Sequence, residues 1–321
     1  TVTFRGNAPT VRDNAFYDVT ATCYYPADNP TWNADTLLNY NGKLTWVAKE
    51  MEPDYVVSGT CGQNLTWGID ALGTLYISGN GGMDDYSEET APWYSYRDSI
   101  QAVGIRAGVT GIGNYAFYHC GSLSDITIPE NVTDIGSNVF EGCTGLTSVS
   151  VLGEVKQIDS YTFLGCTGLT SVDLPESLTY LCNNAFEGCT ALASVSAPKA
   201  TLIGESAFRN CTALESLSLP AATTIGDYAF DGCSALASVS LPAATTIGVY
   251  AFADCTALTS LTFGEVITSV GEYAFYNVPT ENCDLTLNSD QQNSTDENLR
   301  PNVNMWAGKT WASIRWSTNS N

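Results

Sequence analysis

Ile225-Gly-Asp-Tyr-Ala-Phe230-Asp-Gly-Cys233-Ser-Ala-Leu236-Ala-Ser-Val239-Ser-Leu241-Pro242 decides the fold, because the chain repeats it with small changes. Phenylalanine stands at Phe117, Phe140, Phe163, Phe186, Phe208, Phe230, Phe252 and Phe275, every 22 or 23 positions. Three residues after each of the first seven comes a cysteine: Cys120, Cys143, Cys166, Cys189, Cys211, Cys233 and Cys255. Three further on comes a leucine, from Leu123 to Leu258. Fixed apolar positions at a period of roughly 20 to 50 residues mark a solenoid, whose units bury their cores against the neighbours above and below. Such folds offer extended surfaces, so the expected function moves toward binding and away from chemistry.

Each unit reads as two strands and a turn. The first strand follows the leucine, as in Leu146-Thr-Ser-Val149-Ser-Val151 and Leu214-Glu-Ser-Leu217-Ser-Leu219, and alternates apolar with polar as a half-buried strand does. Proline often ends it, at Pro129, Pro175, Pro198, Pro220 and Pro242. The second strand centres on Ile112, Ile135, Ile158, Leu181, Ile203, Ile225, Ile247 and Val270. A glycine usually follows, at Gly113, Gly136, Gly204, Gly226, Gly248 and Gly271, which suits a corner needing positive φ or a close backbone approach. Asp159 and Cys182 take that place in two units.

Composition excludes several functions. Twelve Lys and Arg face 34 Asp and Glu, a net charge of −22, which repels nucleic-acid phosphates and anionic lipid heads. No apolar run approaches the roughly 20 residues that span a bilayer. The sequence opens in mid-pattern at Thr1, without a secretion signal, and is read as a mature or excised piece of a longer protein whose signal and anchor lie outside it. Eleven cysteines would suit a disulfide framework. Seven of them hold one equivalent repeat position, however, which favours a column of buried free thiols, each donating weakly to a backbone carbonyl. The pairing of Cys23, Cys61, Cys182 and Cys283 stays open.

The repeat resembles the BspA-type leucine-rich repeats, a bacterial and protozoan surface-protein family, over about residues 107 to 278. The expected fold is a mostly β leucine-rich-repeat solenoid with β-rich caps at both ends. Residues 107–278 form its eight repeats. Residues 52–106 read as a capping module with a β-hairpin around Asp70-Ala-Leu-Gly73, and 279–321, with Trp306, Trp311 and Trp316, as the C-terminal cap. Val11-Arg-Asp-Asn14-Ala-Phe16-Tyr-Asp-Val19 echoes Val270-Gly-Glu-Tyr-Ala-Phe275-Tyr-Asn-Val278. Residues 1–51 are thus either the exit of a preceding array or a degenerate N-terminal cap.

Candidate chemistry is sparse. His119 is the single histidine and reads as a surface residue, since a catalytic dyad or multi-histidine zinc site needs more. The acidic, glycine-rich loop from Gly79 to Glu89 could hold a hard cation but reads as a solvated loop. Neither a catalytic residue nor a cofactor or metal site is expected, and the chain is read as no enzyme.

Exposed strand positions are mostly small hydroxyls, such as Thr147, Ser148, Ser150, Thr170, Ser171, Ser216, Ser218, Ser238, Ser240, Thr259, Ser260 and Thr262. Two residues before the phenylalanine runs a second column, Tyr115, Tyr161, Tyr228, Tyr250 and Tyr273, the candidate partner-binding residues. The bland alternative is that hydroxyls suit strands and the tyrosines cover the core edge. The family resemblance implies an extracellular or cell-surface adhesion module, with extracellular matrix or cell-surface proteins as partners. A rigid, self-associating spacer is the alternative, and glycan binding through Trp93, Tyr94 and Tyr96 a further one.

Overall fold

The computed structural model describes residues 1–5, 7–27, 30–49, 53–302 and 305–317. The expected boundary between 51 and 52 and the end of the expected C-terminal cap lie outside the described residues. The chain falls into two compact units, Thr1–Tyr55 and Val56–Asn321.

In the first unit, Val2–Thr3, Thr20–Pro26 and Lys43–Lys49 make a parallel sheet in chain order. Cys23 stands opposite Val2 on one side and Trp46 on the other. Phe4, Tyr25, Trp32 and Trp46 gather with ring centroids 4.9 to 6.4 Å apart. The turn around Phe16 carries positive φ at Asn14 (66°) and Asp18 (56°), like the turn around Phe275 with Tyr273 (58°) and Asn277 (53°). The sequence echo therefore extends to backbone conformation.

The second unit is a mostly β, leucine-rich-repeat solenoid. Its first sheet places Tyr55–Gly62 beside Leu65–Asp70, which pairs antiparallel to Thr74–Gly79. The Asp70 carboxylate accepts from the Leu72 and Thr74 backbone N–H groups, satisfying the turn between the two strands. Thr74–Gly79 then pairs parallel with Ala102–Ile105, and the pairing stays parallel through the repeats. Ile126, Val149 and Val172 lie in register across three strands, pointing inward, with Asp, Thr and Ser side chains alternating on the other face. The second strands of the last six units build another parallel sheet in chain order from Gln157–Ile158 to Ser269–Val270, and those of the first two, Val109–Ile112 and Asp134–Ile135, join Gly81–Gly82 in a three-stranded sheet.

Between the sheets runs the phenylalanine column. All eight rings are buried, with successive centroids 5.1 to 5.9 Å apart. Full burial of each side chain contributes about 1.5–3 kcal/mol and each ring pair about 0.5–1.5 more. Trp93 fills the equivalent place one rung before Phe117, stacked at 6.0 Å, and its indole N–H donates to the Ala116 carbonyl at 2.6 Å. At the other end Trp306 and Trp311 close over Phe275 at 6.1 and 5.2 Å. Trp316, on the last described strand, is exposed.

The thiols form a column beside the rings. Cys143 donates to the Phe117 carbonyl at 3.1 Å, and Cys166, Cys189, Cys211, Cys233 and Cys255 repeat the bond at 3.1 to 3.3 Å, each to a phenylalanine carbonyl of the preceding rung. Burial pushes Cys120, Cys166 and Cys211 up to about 12 and raises Cys143, Cys189, Cys233 and Cys255 well above the usual thiol range. These thiols stay protonated, weak donors inside an apolar wall.

Of the two roles open to the corner glycines, the structure uses close approach. A Cβ on Gly226 or Gly248 would lie 2.6 or 2.5 Å from backbone of the rung before it, and neither φ is positive. Positive φ falls instead two residues before and two residues after the phenylalanine. The earlier slot holds Tyr115, Asn138, Tyr161, Asn184, Ser206, Tyr228, Tyr250 and Tyr273; the later one His119, Gly142, Gly165, Gly188, Asn210, Gly232, Asp254 and Asn277.

Candidate binding surface

The hydroxyl face divides in two. Thr147, Thr170 and Thr259 turn their hydroxyls to carbonyls of the preceding rung (Ser124, Thr147 and Ala237) at 2.9 to 3.1 Å, so they tie rungs together. Ser148 and Ser171 are in-register neighbours, as are Ser194 and Ser216, and Ser238 and Ser260, forming an outward row of uncharged side chains. Near its middle lies an open hollow of about 310 Å³ lined by Val172, Asp173, Ser194, Ser196, Ser216 and Ser218.

The tyrosines owe their place to the turn. The positive-φ slot is costly for a residue with a Cβ, by roughly 1–2 kcal/mol, and Asn eases that cost by local hydrogen bonding. At Asn138 and Asn184 the amide donates to Glu141 and Glu187 three residues on. At Tyr228 and Tyr250 a ring on the next rung offsets that cost. Tyr228 stacks on Tyr250 at 5.2 Å and Tyr250 on Tyr273 at 5.0 Å, with interplanar angles of 6° and 21°. Desolvation in the stack, then Tyr273, Tyr228, Tyr276 and Glu272, raise the Tyr250 phenol above its ordinary value.

Of the five expected tyrosines the structure thus joins three. Tyr276 completes the group, edge-on to Tyr250 at 6.1 Å and Tyr273 at 6.3 Å. Arg209 sits 5.4 Å over Tyr228 and reaches Asp231 at 3.0 Å and Glu187 at 3.8 Å. This terrace ends on Tyr273, 57 % exposed, beside a hollow of about 230 Å³ lined by Val270, Tyr273, Phe275, Ala307 and Lys309. Tyr115 belongs to a separate group, edge-on to Tyr118 at 5.4 Å, which in turn stacks on Tyr94. Tyr161 is flanked by Asn138 and Asn184 in its column and lies outside both groups.

Sequence reasoning missed Tyr276, Tyr118 and Arg209. All three stand one residue after the phenylalanine, in the variable column Tyr118, Glu141, Leu164, Glu187, Arg209, Asp231, Ala253, Tyr276. For Tyr118 and Tyr276 the signal was the three-residue spacing from Tyr115 and Tyr273, which the tight turn converts into adjacency, whereas Arg209 reaches Tyr228 from the preceding rung. His119 is exposed in the later positive-φ slot, its ring 4.2 Å from Tyr118 and laid against Gly142. In the acidic loop, the Asp85 carboxylate accepts from the Asn114 N–H and the Tyr86 hydroxyl donates to the Cys61 carbonyl. Among the described residues, no group of three or more His, Cys, Asp or Glu side chains is placed to hold a metal ion. The glycan candidates need correction: Trp93 is fully buried because it serves as the first ring of the core column, leaving Tyr94 and Tyr96 outside.

A family model described as BspA type Leucine rich repeat region matches in six copies, over residues 92–215 and 223–297. Solved structures give partial likenesses. A leucine-rich repeat protein from Bacteroides ovatus is 23 % identical, with 73 % of this chain and 71 % of that one covered and a TM-score of 0.46. One from T. pallidum is 26 % identical, covering 62 % and 90 %, at 0.46. A leucine rich cell surface protein from Faecalibacterium prausnitzii is 21 % identical, covering 83 % and 96 %, at 0.37. No curated protein matches the chain.

Proposed function

The chain belongs to the BspA-type leucine-rich repeat family, and from that premise we propose that it is a non-enzymatic binding module working outside the cell or at its surface, in adhesion to matrix proteins or to other cells. The observation that supports this most is the terrace of Tyr228, Tyr250, Tyr273 and Tyr276, four aromatic side chains brought together beside a rigid core. Tyrosine gives a large contact area at low entropic cost. The rung spacing fixes its position without a partner, so little ordering has to accompany docking.

The test is binding of the purified chain to an array of matrix proteins and glycans, with the Tyr228→Ala/Tyr250→Ala variant alongside. Binding to one protein class that the variant loses is the expected result. Silence across the array would favour the spacer reading, in which the repeats hold another domain at a distance. Glycan hits retained in the variant would move attention to Tyr94 and Tyr96 instead.

A further inference from the structure

We propose that the terrace of Tyr228, Tyr250, Tyr273 and Tyr276 seats a basic, arginine-bearing segment of another protein, an assignment that rests on the binding-module reading above. The molecule itself supplies the precedent. Arg209 lies over the Tyr228 ring at 5.4 Å, at one end of the stack, and on the other aromatic group Arg97 lies over Tyr94 at 4.4 Å. One pair lies in the repeat turns and the other in the short helix Tyr94–Ser99, and both show a guanidinium drawn to the face of a tyrosine, as the ring quadrupole favours. The opposite end of the stack is Tyr273, 57 % exposed.

Charge points the same way. Glu187, Asp231, Asp254 and Glu272 are neighbours of the stack: Arg209 bonds the first two, the Asp254 backbone N–H donates to the Tyr276 carbonyl, and the Tyr250 backbone N–H donates to the Glu272 carbonyl. Against them stand Arg209, already shared by two carboxylates, and Lys309 in the hollow beside Tyr273. The chain as a whole carries −22. An acidic segment would meet repulsion here, and a basic one would be steered in. Arginine suits the seat better than lysine, because its planar, weakly hydrated guanidinium stacks on a phenol at a smaller desolvation cost.

The experiment titrates the whole chain with short peptides in which serine alternates with arginine, lysine or glutamate, at about 0.15 M salt so that diffuse attraction is screened beyond roughly 8 Å. The variant is Tyr250→Asn/Tyr273→Asn. Asparagine holds the same slot at Asn138 and Asn184, so the turn is kept, and an unchanged melting curve verifies it. Tyr161→Asn, outside the terrace, is the control.

The arginine peptide is expected to bind, the lysine peptide several-fold more weakly and the glutamate peptide not at all. The double variant should lose on the order of tenfold and the control nothing. Equal binding by the double variant, or an equal loss in Tyr161→Asn, would reduce the attraction to net charge and overturn the proposal, as would failure of the arginine peptide to bind. A neutral or acidic protein captured by the wild type and lost in the double variant would overturn the choice of partner while leaving the binding module standing.

Discussion

Two columns climb the repeats two residues apart, one inside and one outside. The inner column is phenylalanine on all eight rungs. The outer one changes between Tyr, Asn and Ser, although its backbone φ stays between 54° and 62° throughout. The difference separates two kinds of constraint. Inside, a missing ring leaves a void between two rings that the stacked rungs hold apart, so every rung needs the same volume. Outside, the backbone asks only for a residue that accepts positive φ, and the side chain is free to serve another purpose. A tyrosine there is not demanded by the fold, which is what makes the terrace a candidate surface.

The largest test of the inner wall is alkaline titration. Burial raises the folded pKa of Cys120, Cys166 and Cys211 to about 12 and that of the other column thiols well above the ordinary value of 9.0. Their stabilisation is complete below pH 9, where the unfolded thiols also keep their protons, and falls as pH rises toward the folded values. Each thiol removes about 1.4 kcal/mol per pH unit above 9. Urea midpoints measured from pH 8 to 10.5 should therefore fall steeply, and a Cys143→Ala/Cys189→Ala/Cys233→Ala variant should show a shallower fall. An unchanged slope in that variant would break the picture of a protonated wall.

Phe230→Ala comes next, at about 3–5 kcal/mol by urea unfolding, because its neighbours at 5.5 and 5.3 Å cannot collapse into the gap. Gly248→Ala should cost about 1–3 kcal/mol, since the new methyl meets backbone of the preceding rung at 2.5 Å. Tyr250→Asn should cost under about 1 kcal/mol, the lost ring contacts being offset by a residue better suited to positive φ. Gly165→Asn should be within about 0.5 kcal/mol of neutral, because its slot is open and Asn210 and Asn277 already occupy its equivalents. If Tyr250→Asn destabilised as much as Phe230→Ala, the distinction between the two columns would fall.

The repeat period, the strand alternation and the apolar columns could be read directly, since each is a local pattern copied many times. The terrace could be read only in part. Tyr228, Tyr250 and Tyr273 appear as a column in the sequence, but Tyr276 and Arg209 join them through a turn whose two positive-φ residues carry mixed side chains. The later of those slots holds Gly on four rungs and His, Asn or Asp on the others, so its shared conformation hides behind apparent variation. Trp93 was misplaced for a related reason. It lies 24 residues before Phe117 in a segment without the repeat pattern, and only stacking shows that it is a ring of the same column.

The sequence alone determined the parallel, rung-by-rung architecture, because a fixed period leaves each unit one way to bury its Phe, Cys and Leu, against its own copies. The tertiary structure decided which tyrosines touch, which hydroxyls bond inward and what closes the two ends of the core. Those outcomes depend on side-chain direction at turns and on contacts between non-equivalent residues, which no periodicity encodes.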